Sequence, residues 1–556
     1  MAGLHLQRRR LLNRLANIEA LLTMIAGPKP LNPETQQYPE VTLQDLGLPS
    51  SAAEWIDPPA QALPEVTNNL CTTFTDSMFK ASAVATADQL ELAPLPEILP
   101  VVDNYFRNYN VIVPLFEETA FMRMLLDWFS FSNERSMVSW AAINVVLAIS
   151  YRVLEGRPMD DPAYAQCVRN VRSVSTEMMT QVEDLLGFQV LLGLVILYQG
   201  SSEIQLALVL IGSVVRLAQS LRLNSKQTLT GLSRAGKLQR CRLFWLYYIY
   251  DRELAMRSRS PYNQIDSEMD MECLDPDPED SLGVISSPTS SIQFNYLRTR
   301  AQLAYIQGKA HDLLYNQKSQ KLTRDQRITS ISRIEDMLAE WTKGIPVELQ
   351  NAESIKRLLS PTAANILMTM WYRHTECRVK IQSIFTFEDE WITRVSRYLS
   401  PAVIEINDDE VDGEVRRASL TPLPPGWTEC AQYSRLCLGL LTARQPTEYI
   451  LWLHTCGSYS CLVILIVNMI EFPDHAYVAQ DRELLDNCLA VFKDMTSYLP
   501  KEPYEALLHV TIQLDRRARG QVSRAMLAKG EMSFSPSNAE LSPSMTWAML
   551  DEIELQ

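Results

Sequence analysis

Apolar side chains recur along most of the chain with the three- and four-residue spacing of an amphipathic helix. The segment from Glu203 to Leu223 follows it most closely, with apolar residues along one side at Ala207, Leu210, Ile211, Val214, Leu217, Ala218 and Leu221. Nine further segments share this periodicity: Ser136–Leu154, Gln181–Tyr198, Leu238–Met256, Phe294–Leu314, Ile328–Trp341, Thr362–Ile384, Thr447–Ile470, Asp481–Tyr498 and Pro503–Leu527. No run of alternating apolar and polar residues predicts a strand. The sequence therefore predicts an all-α protein with about fifteen helices.

Proline, serine and acidic residues interrupt the helical pattern in four segments. These are Gly27–Pro64 with eight prolines, the acidic and Ser/Pro-rich loop Asp275–Ser291, the acidic and proline-containing Ile404–Glu429, and the tail from Glu531. They divide the chain into a short coiled-coil helix (1–26), a Pro-rich linker (27–90), a large multi-helix regulatory domain (91–530) and a Ser/Pro-rich tail with an acidic-aromatic end (531–556).

The first 26 residues carry a heptad pattern. Its apolar positions are Leu4, Leu11, Leu15, Ile18, Leu22 and Ile25. Such a seam suits either a helix that packs on its own domain or a coil that forms a homo- or heterodimer. Four arginines on the front half, Arg8, Arg9, Arg10 and Arg14, form a weak candidate for DNA contact.

Composition and charge narrow the class of protein. The 556 residues are 47% hydrophobic and 21% charged, which is a globular balance. The net charge of −15 opposes binding of nucleic acid or acidic membranes by the body as a whole. Ten scattered cysteines without a Cys-x-x-Cys pair indicate a reduced, intracellular protein. The longest apolar stretches, Leu185–Tyr198 and Cys461–Ile470, fall short of the roughly 20 residues that span a bilayer, so we expect a soluble protein with no membrane partner.

No catalytic motif is evident. Glycine-rich phosphate loops, His-Glu-x-x-His and Gly-x-Ser-x-Gly are all absent from the sequence. The nearest approach to a metal site groups His454 with Cys430, Cys437, Cys456 and Cys461, but these spacings match no structural zinc module. We expect these residues to be core side chains, and we predict that the chain is not an enzyme and holds no cofactor or metal.

The most specific segment runs from Leu238 to Leu274. Its characteristic residues are Arg240, Arg242, Phe244, Trp245, Asp251, Arg252 and Pro261. This segment resembles the middle homology region of the fungal-specific transcription factor domain, which belongs to the zinc binuclear cluster regulators. Three further segments, Leu95–Phe121, Ala207–Asn224 and Leu11–Leu22, resemble other parts of the family in the same order. Cys241 and Arg259-Ser260 depart from the family pattern.

The motif also has a direct physical interpretation. Leu238–Met256 is expected to be a helix that buries its aromatic residues and ends before Pro261. Its arginines and Asp251 are expected to form a structural charge network and not a ligand site. Glu253 and Arg257, four residues apart, are expected to pair on an exposed face.

The resemblance implies a nuclear transcription regulator that controls a metabolic or secondary-metabolite gene set. The family's zinc cluster uses six cysteines upstream of the coil, whereas the first cysteine here is Cys71. A zinc cluster, and with it direct binding of promoter DNA, would therefore need upstream sequence. Either the 5′ end of the gene model is truncated or the protein is a regulator without the cluster. In the alternative function, the chain binds no DNA but heterodimerises with a full-length zinc cluster regulator and modulates it.

The tail offers a second candidate interaction segment. Trp547, Met549, Leu550 and Ile553 alternate with acidic residues near the end of the sequence. This composition suits a short activation helix that docks in the groove of a coactivator. The other readings are a tail that packs back on its own domain and one that is disordered.

Overall fold

The predicted helical periodicity is realised as fifteen α-helices in the computed structural model, which describes residues 90–130, 135–180, 185–258, 260–382, 423–495 and 501–533. They are α1 (Leu95–Tyr105), α2 (Glu118–Ser130), α3 (Met137–Ile149), α4 (Pro162–Thr180), α5 (Leu185–Gln199), α6 (Ile204–Ser220), α7 (Arg234–Ser258), α8 (Tyr296–Ala310), α9 (Arg324–Lys343), α10 (Ala352–Leu358), α11 (Pro361–Ile381), α12 (Trp427–Thr442), α13 (Glu448–Glu471), α14 (Val478–Met495) and α15 (Lys501–Ser533). The all-α fold class is confirmed.

One contiguous cluster of buried apolar side chains extends from Leu90 to Val522. Helices that are apolar on every side lie at its centre, because no polar face has to reach water. In α5 every residue from Gly187 to Gln199 is buried. The amphipathic α6 instead buries one side, including Ala207 and Val214, as its spacing predicts.

Helix starts follow local sequence rules. Thr323 caps α9 by accepting a hydrogen bond from the Gln326 backbone, and the Gln326 side chain returns the contact in a capping box. Ser360 caps α11 immediately before Pro361, whose missing N–H costs nothing at that position. These caps fix where the two helices begin.

Three helices end in a five-residue π-helical turn. Phe106–Asn110 follows α1, Ser150–Leu154 follows α3 and His311–Tyr315 follows α8. A π-turn widens the helix and displaces the side chains of that turn, and such turns are common at functional sites. The sequence did not predict them.

A short β-hairpin lies where the sequence predicted a loop over Asp275–Ser291. Strand β1 (Val284–Ser286) pairs antiparallel with β2 (Gln293–Asn295), with Ile285 opposite Phe294. Gly283 enters the hairpin with φ of 90°, and a Cβ there would lie 2.9 Å from that of Leu297. The loop prediction is wrong here because burial of Ile285 and Phe294 stabilises pairing that the short segment alone would not show.

Within the described residues, two helical segments are long and apolar enough to cross a bilayer, Met137–Leu154 and Glu448–Glu471. In the folded chain 67% and 78% of these windows are buried against other parts of the protein. Core helices of soluble proteins meet the same length and composition criteria.

Candidate functional site

The sequence motif lies on α7, which is buried from Leu243 to Met256. Phe244 is enclosed in the core, and the Trp245 indole donates a hydrogen bond to the Glu272 carbonyl over 2.9 Å. Arg242 Nη2 donates to Asp280 Oδ1 over 2.5 Å. The helix is therefore anchored by its polar atoms to the segment that follows it.

Asp251 holds the turn that begins at Pro261. Its carboxylate accepts hydrogen bonds from the backbone N–H groups of Asn263 and Gln264 over 2.9 and 2.8 Å, and from the Asn263 amide over 2.7 Å. Three donors from one turn thus converge on a side chain that is 1% exposed. By contrast, Arg240 is half-buried and contacts only the Leu221 carbonyl at 3.4 Å among the described residues.

Arg252 likewise binds residues of the segment that follows α7. Its Nη2 donates to Asp266 Oδ1 over 2.6 Å, and its Nη1 donates to Asp251 over 3.1 Å. The guanidinium group lies 3.5 Å from the centre of the Tyr262 ring and 4.3 Å from that of Tyr248. Cation–π contacts of this kind strengthen when they are removed from water.

Asp266 joins this network to α8. Lys309 Nζ donates to Asp266 Oδ2 over 3.0 Å, and the Tyr248 hydroxyl donates to Oδ1 over 2.9 Å. Burial alone would raise the pKa of Asp266, but Arg252, Lys309 and Tyr248 together lower it below its usual value. We call Asp251, Arg252, Asp266 and Lys309 the paired network, since its two cations match its two carboxylates.

A second group of charges begins at Glu253, which follows Arg252 on α7. The Glu253 carboxylate accepts two hydrogen bonds from Arg300, over 2.8 and 2.7 Å, and both residues are less than 5% exposed. Arg300 Nη1 also donates to the Tyr296 hydroxyl over 3.1 Å. The expected surface pair between Glu253 and Arg257 is therefore wrong, because Glu253 faces the core and binds α8 instead.

Arg373 on α11 completes this group. It is fully buried, its Nη1 donates to both Glu376 oxygens over 2.9 and 2.7 Å, and its Nε lies 3.5 Å from Glu253 Oε2. Its Nη2 has no hydrogen-bond partner within the described ranges.

Arg257 lies beside these residues without a carboxylate of its own. Its Nη1 contacts the Gln199 carbonyl at 3.5 Å, and no salt bridge forms to it in the part of the chain that the structure describes. Its pKa is lowered by burial and by Arg373, while Glu376 and Glu253 act in the opposite direction. We call Arg257, Arg300, Arg373, Glu253 and Glu376 the arginine cluster, in which three guanidinium groups share two carboxylates.

A cavity of about 40 Å³ adjoins the arginine cluster. Its lining comes from α5, α7, α8, α11, α13 and two π-turns: Tyr109, Val113, Val153, Gln199, Tyr250, Tyr296, Arg300, Thr362, Asn365, Ile366, Thr369, Tyr449, Ile450 and Leu453. The π-turns contribute Tyr109 and Val153. Val153, Thr362 and Asn365 are the half-buried members of this lining, and the others are buried.

The cavity wall is mainly apolar, with several hydroxyl-bearing side chains and no carboxylate among its lining residues. Burial raises the pKa of Tyr109, Tyr250, Tyr296 and Tyr449 above the usual tyrosine value. These phenols therefore stay protonated at neutral pH. The Tyr449 hydroxyl donates to the Ile196 carbonyl, and Arg300 supplies the one cation among the lining residues. Such a wall can hydrogen-bond a small polar molecule or a few water molecules.

The residues weighed as a metal site are not arranged as one. His454 stacks on the Tyr372 ring at 4.4 Å, and its Nε2 lies 3.2 Å from Thr369 Oγ1. Cys430, Cys437 and Cys461 are buried, whereas Cys456 is exposed. Over the described ranges no three His, Cys, Asp or Glu side chains are grouped to hold a metal ion.

The other predicted site residues lie outside the described residues. They are the coil positions Leu4, Leu11, Leu15, Ile18, Leu22 and Ile25, the arginines Arg8, Arg9, Arg10 and Arg14, and the tail residues Trp547, Met549, Leu550 and Ile553. The predicted linker up to residue 89 lies outside them too, while α15 continues to Ser533, inside the predicted tail.

The arginine cluster was not predicted from the sequence. A signal was present, because Arg300 and Arg373 occupy positions on α8 and α11 where neighbouring residues of the same helix face are buried. Charged residues on a core-facing side of a helix are almost always paired. Their partners could not be named, because they come from other helices.

Comparison with known proteins shows that the chain is similar to fungal transcription factors. Residues 102–343 match the model of the fungal specific transcription factor domain. An ABC-transporter-regulating transcription factor of Aspergillus oryzae is 26% identical over 78% of this chain and 48% of its own length, and that of Aspergillus fumigatus is 25% identical over the same shares. The Fusaridione A cluster transcription factor of Fusarium heterosporum is 27% identical over 41% of this chain and 45% of its own length. The chain thus spans about half the length of the curated relatives it matches, and these relatives are transcription factors and not enzymes.

Proposed function

Because the chain carries a fungal specific transcription factor domain, we propose that it is a nuclear transcription regulator whose helical body, residues 91–530, is the regulatory part. The observation that carries this proposal is the family match over residues 102–343, within an alignment to named transcription factors that covers 78% of the chain. The described residues contain no grouped metal ligands, and the polar residues of α7 serve to anchor the fold.

The target is proposed to be a metabolic or secondary-metabolite gene set. One relative is named for a biosynthetic cluster and two for the regulation of ABC transporters. Genes for transporters and for clustered biosynthetic enzymes are therefore the first transcripts to measure. Within this proposal the N-terminal coil dimerises, the tail binds a coactivator, and promoter contact uses a zinc cluster supplied upstream or by a partner.

The test combines localisation with transcript profiling in the native host. A tagged chain is expected to accumulate in the nucleus, and its deletion is expected to change a limited set of transcripts. A tagged protein that stays cytoplasmic, with an unchanged transcriptome in the deletion strain, would contradict the proposal.

A second candidate function is supported by the charge of −15 and by the heptad pattern at Leu4–Ile25. The chain would bind no DNA and would heterodimerise with a full-length zinc cluster regulator. The double variant Leu15→Pro with Leu22→Pro should abolish recovery of that regulator, because proline breaks a helix. Leu43→Pro, in the predicted linker, is the matched control and should leave recovery unchanged; equal recovery with the double variant would rule this function out.

A further inference from the structure

The cavity and the arginine cluster occupy consecutive turns of two helices, α7 and α11. On α7, Tyr250 lines the cavity, Glu253 follows it three residues later, and Arg257 follows Glu253 after four more. On α11, Thr369 lines the cavity, and Arg373 follows four residues later. Residues three or four apart share one face of a helix, so the cluster continues the cavity along the helix axes.

Two further contacts join the cavity to the cluster. Arg300 lines the cavity and also binds Glu253 of the cluster. Gln199 lines the cavity from α5, and its carbonyl accepts a hydrogen bond from Arg257 over 3.5 Å. On α13, Leu453 lines the cavity, and the Cβ position of Gly457 one turn later lies 3.1 Å from Glu376 Oε1.

The charges at the cluster end of this space do not balance. Three guanidinium groups face two carboxylates, Arg373 Nη2 has no acceptor, and Arg257 has only a carbonyl at 3.5 Å within the described part of the chain. A charge removed from water without a counter-charge is destabilising, and a buried donor without an acceptor adds to that cost. An anion bound between Arg257 and Arg373 would supply both the missing counter-charge and the missing hydrogen-bond acceptor.

We propose that the arginine cluster and the adjoining cavity form a binding site for a small organic carboxylate. The carboxylate group pairs with Arg257 and with the free edge of Arg373, since a guanidinium fork matches two carboxylate oxygens. The short neutral body lies in the cavity between Tyr250, Thr369 and Leu453. A cavity of about 40 Å³ has room for roughly three or four water-sized groups, which fits a body of a few carbon atoms and excludes a large ligand.

Cys456 provides a built-in reporter for this site. Its thiol is exposed. Burial raises its pKa, while Arg257 and Arg373 lower it and Glu376 raises it, so three of the five charges of the cluster act on the sulfur. A solvent-accessible thiol that is also surrounded by protein lies in a crevice. A carboxylate bound between Arg257 and Arg373 would obstruct that crevice and neutralise the cations that favour the thiolate.

The experiment measures alkylation of the purified full chain by iodoacetamide, cysteine by cysteine, with mass spectrometry. Isobutyrate is the probe, and isobutyramide, which has nearly the same shape without the charge, is the control ligand. Isobutyrate should slow alkylation of Cys456 by about tenfold when its concentration is ten times Kd. Isobutyramide should have no effect, and the exposed Cys273, whose pKa is influenced by Arg298 and not by the arginine cluster, should react at the same rate throughout.

Three variants separate this site from general effects on the fold. Arg257→Gln should weaken protection by about tenfold or more, because it removes one charge-assisted contact. Glu376→Gln should strengthen it, because it removes a competing carboxylate. Arg234→Gln, at the exposed start of the same helix, should leave it unchanged.

Several results would overturn the proposal. Unchanged alkylation of Cys456 at about 10 mM isobutyrate, enough to fill a site with Kd near 1 mM, would show that the carboxylate does not bind there. Protection that survives Arg257→Gln would place the anion elsewhere. Equal protection by inorganic phosphate would show a general anion site without a role for the organic body. The proposal goes beyond gene regulation, and the assay gives its answer whether or not the chain acts on transcription.

Discussion

Two adjacent sets of charges on α7 have opposite character. In the paired network, Arg252 and Lys309 are matched by Asp251 and Asp266, and both Asp251 and Arg252 are 1% exposed. In the arginine cluster, which begins one residue later at Glu253, positive charge is in excess. A balanced network holds segments together, whereas an unbalanced one retains the capacity to bind an anion.

The two sets of charges differ because their partners come from different parts of the chain. The paired network draws mainly on residues 263–266, which follow α7 directly and belong to the same sequence motif. The arginine cluster assembles side chains from α7, α8 and α11, with Glu253 and Arg300 already 47 residues apart. The contacts of the paired network form mostly when the turn after α7 forms. Those of the arginine cluster form only when distant helices pack together.

Glu253→Gln is expected to have the largest effect on stability. It leaves the buried Arg300 without a counter-charge and weakens the contact with Arg373, so the free energy of unfolding should fall by about 3–5 kcal/mol. Urea denaturation followed by circular dichroism measures this. Glu340→Gln, which removes an exposed pair with Lys343, is the control and should unfold like the wild type. A loss of unfolding free energy as small as that of the control would show that the buried arginines do not depend on the charge of Glu253.

Arg252→Gln should come next, with a loss of about 2–3 kcal/mol in the free energy of unfolding. The variant removes the ion pair with Asp266 and the contacts with the Tyr262 and Tyr248 rings. Backbone amides of residues 262–266 should therefore exchange hydrogen faster. Unchanged exchange in that segment would mean that Asp251 alone holds the turn.

The pH dependence of the free energy of unfolding should differ between the buried histidines and Asp266 of the paired network. Burial, and then Arg373, Arg257 and Arg300, hold the pKa of His454 well below its usual 6.5, and burial and Arg378 do the same for His374. Both stay neutral in the folded state, so the unfolded state binds more protons as the pH falls below 6.5, and stability is lost.

Each histidine should contribute a slope of about 1.4 kcal/mol per pH unit in that range. His454→Gln should remove one such contribution between about pH 5 and 6.5. Asp266 behaves differently, because its pKa lies below 3.8; its contribution is present above that value and is lost as the pH falls through the lowered pKa. An unchanged slope in His454→Gln would show that His454 already titrates in the fold.

Arg257→Gln should have the smallest effect on the unliganded chain, within about 0.5 kcal/mol. Arg257 has no carboxylate to lose among the described residues, and its removal relieves repulsion with Arg373. Thermal unfolding in a buffer without carboxylates tests this. A large loss would mean that Arg257 has a structural role comparable to that of Arg252.

Much of the fold could be predicted from the sequence because the helical spacing of apolar residues is a local property. The stripe on α6 and the buried aromatic residues of α7 follow directly from helical spacing. The expected pair of Glu253 with Arg257 was wrong because the four-residue rule describes exposed helix faces, and Glu253 faces Arg300. The π-turns and the position of Arg373 depend on packing between distant segments, which one-dimensional spacing does not encode.

The most direct test of the unbalanced cluster is a crystal structure of the full chain grown with isobutyrate. The account predicts difference density for one carboxylate between the guanidinium groups of Arg257 and Arg373, with its carbon atoms directed into the cavity beside Thr369. A structure in which only ordered water lies between them, or in which Arg257 pairs with a carboxylate of the protein itself, would contradict it.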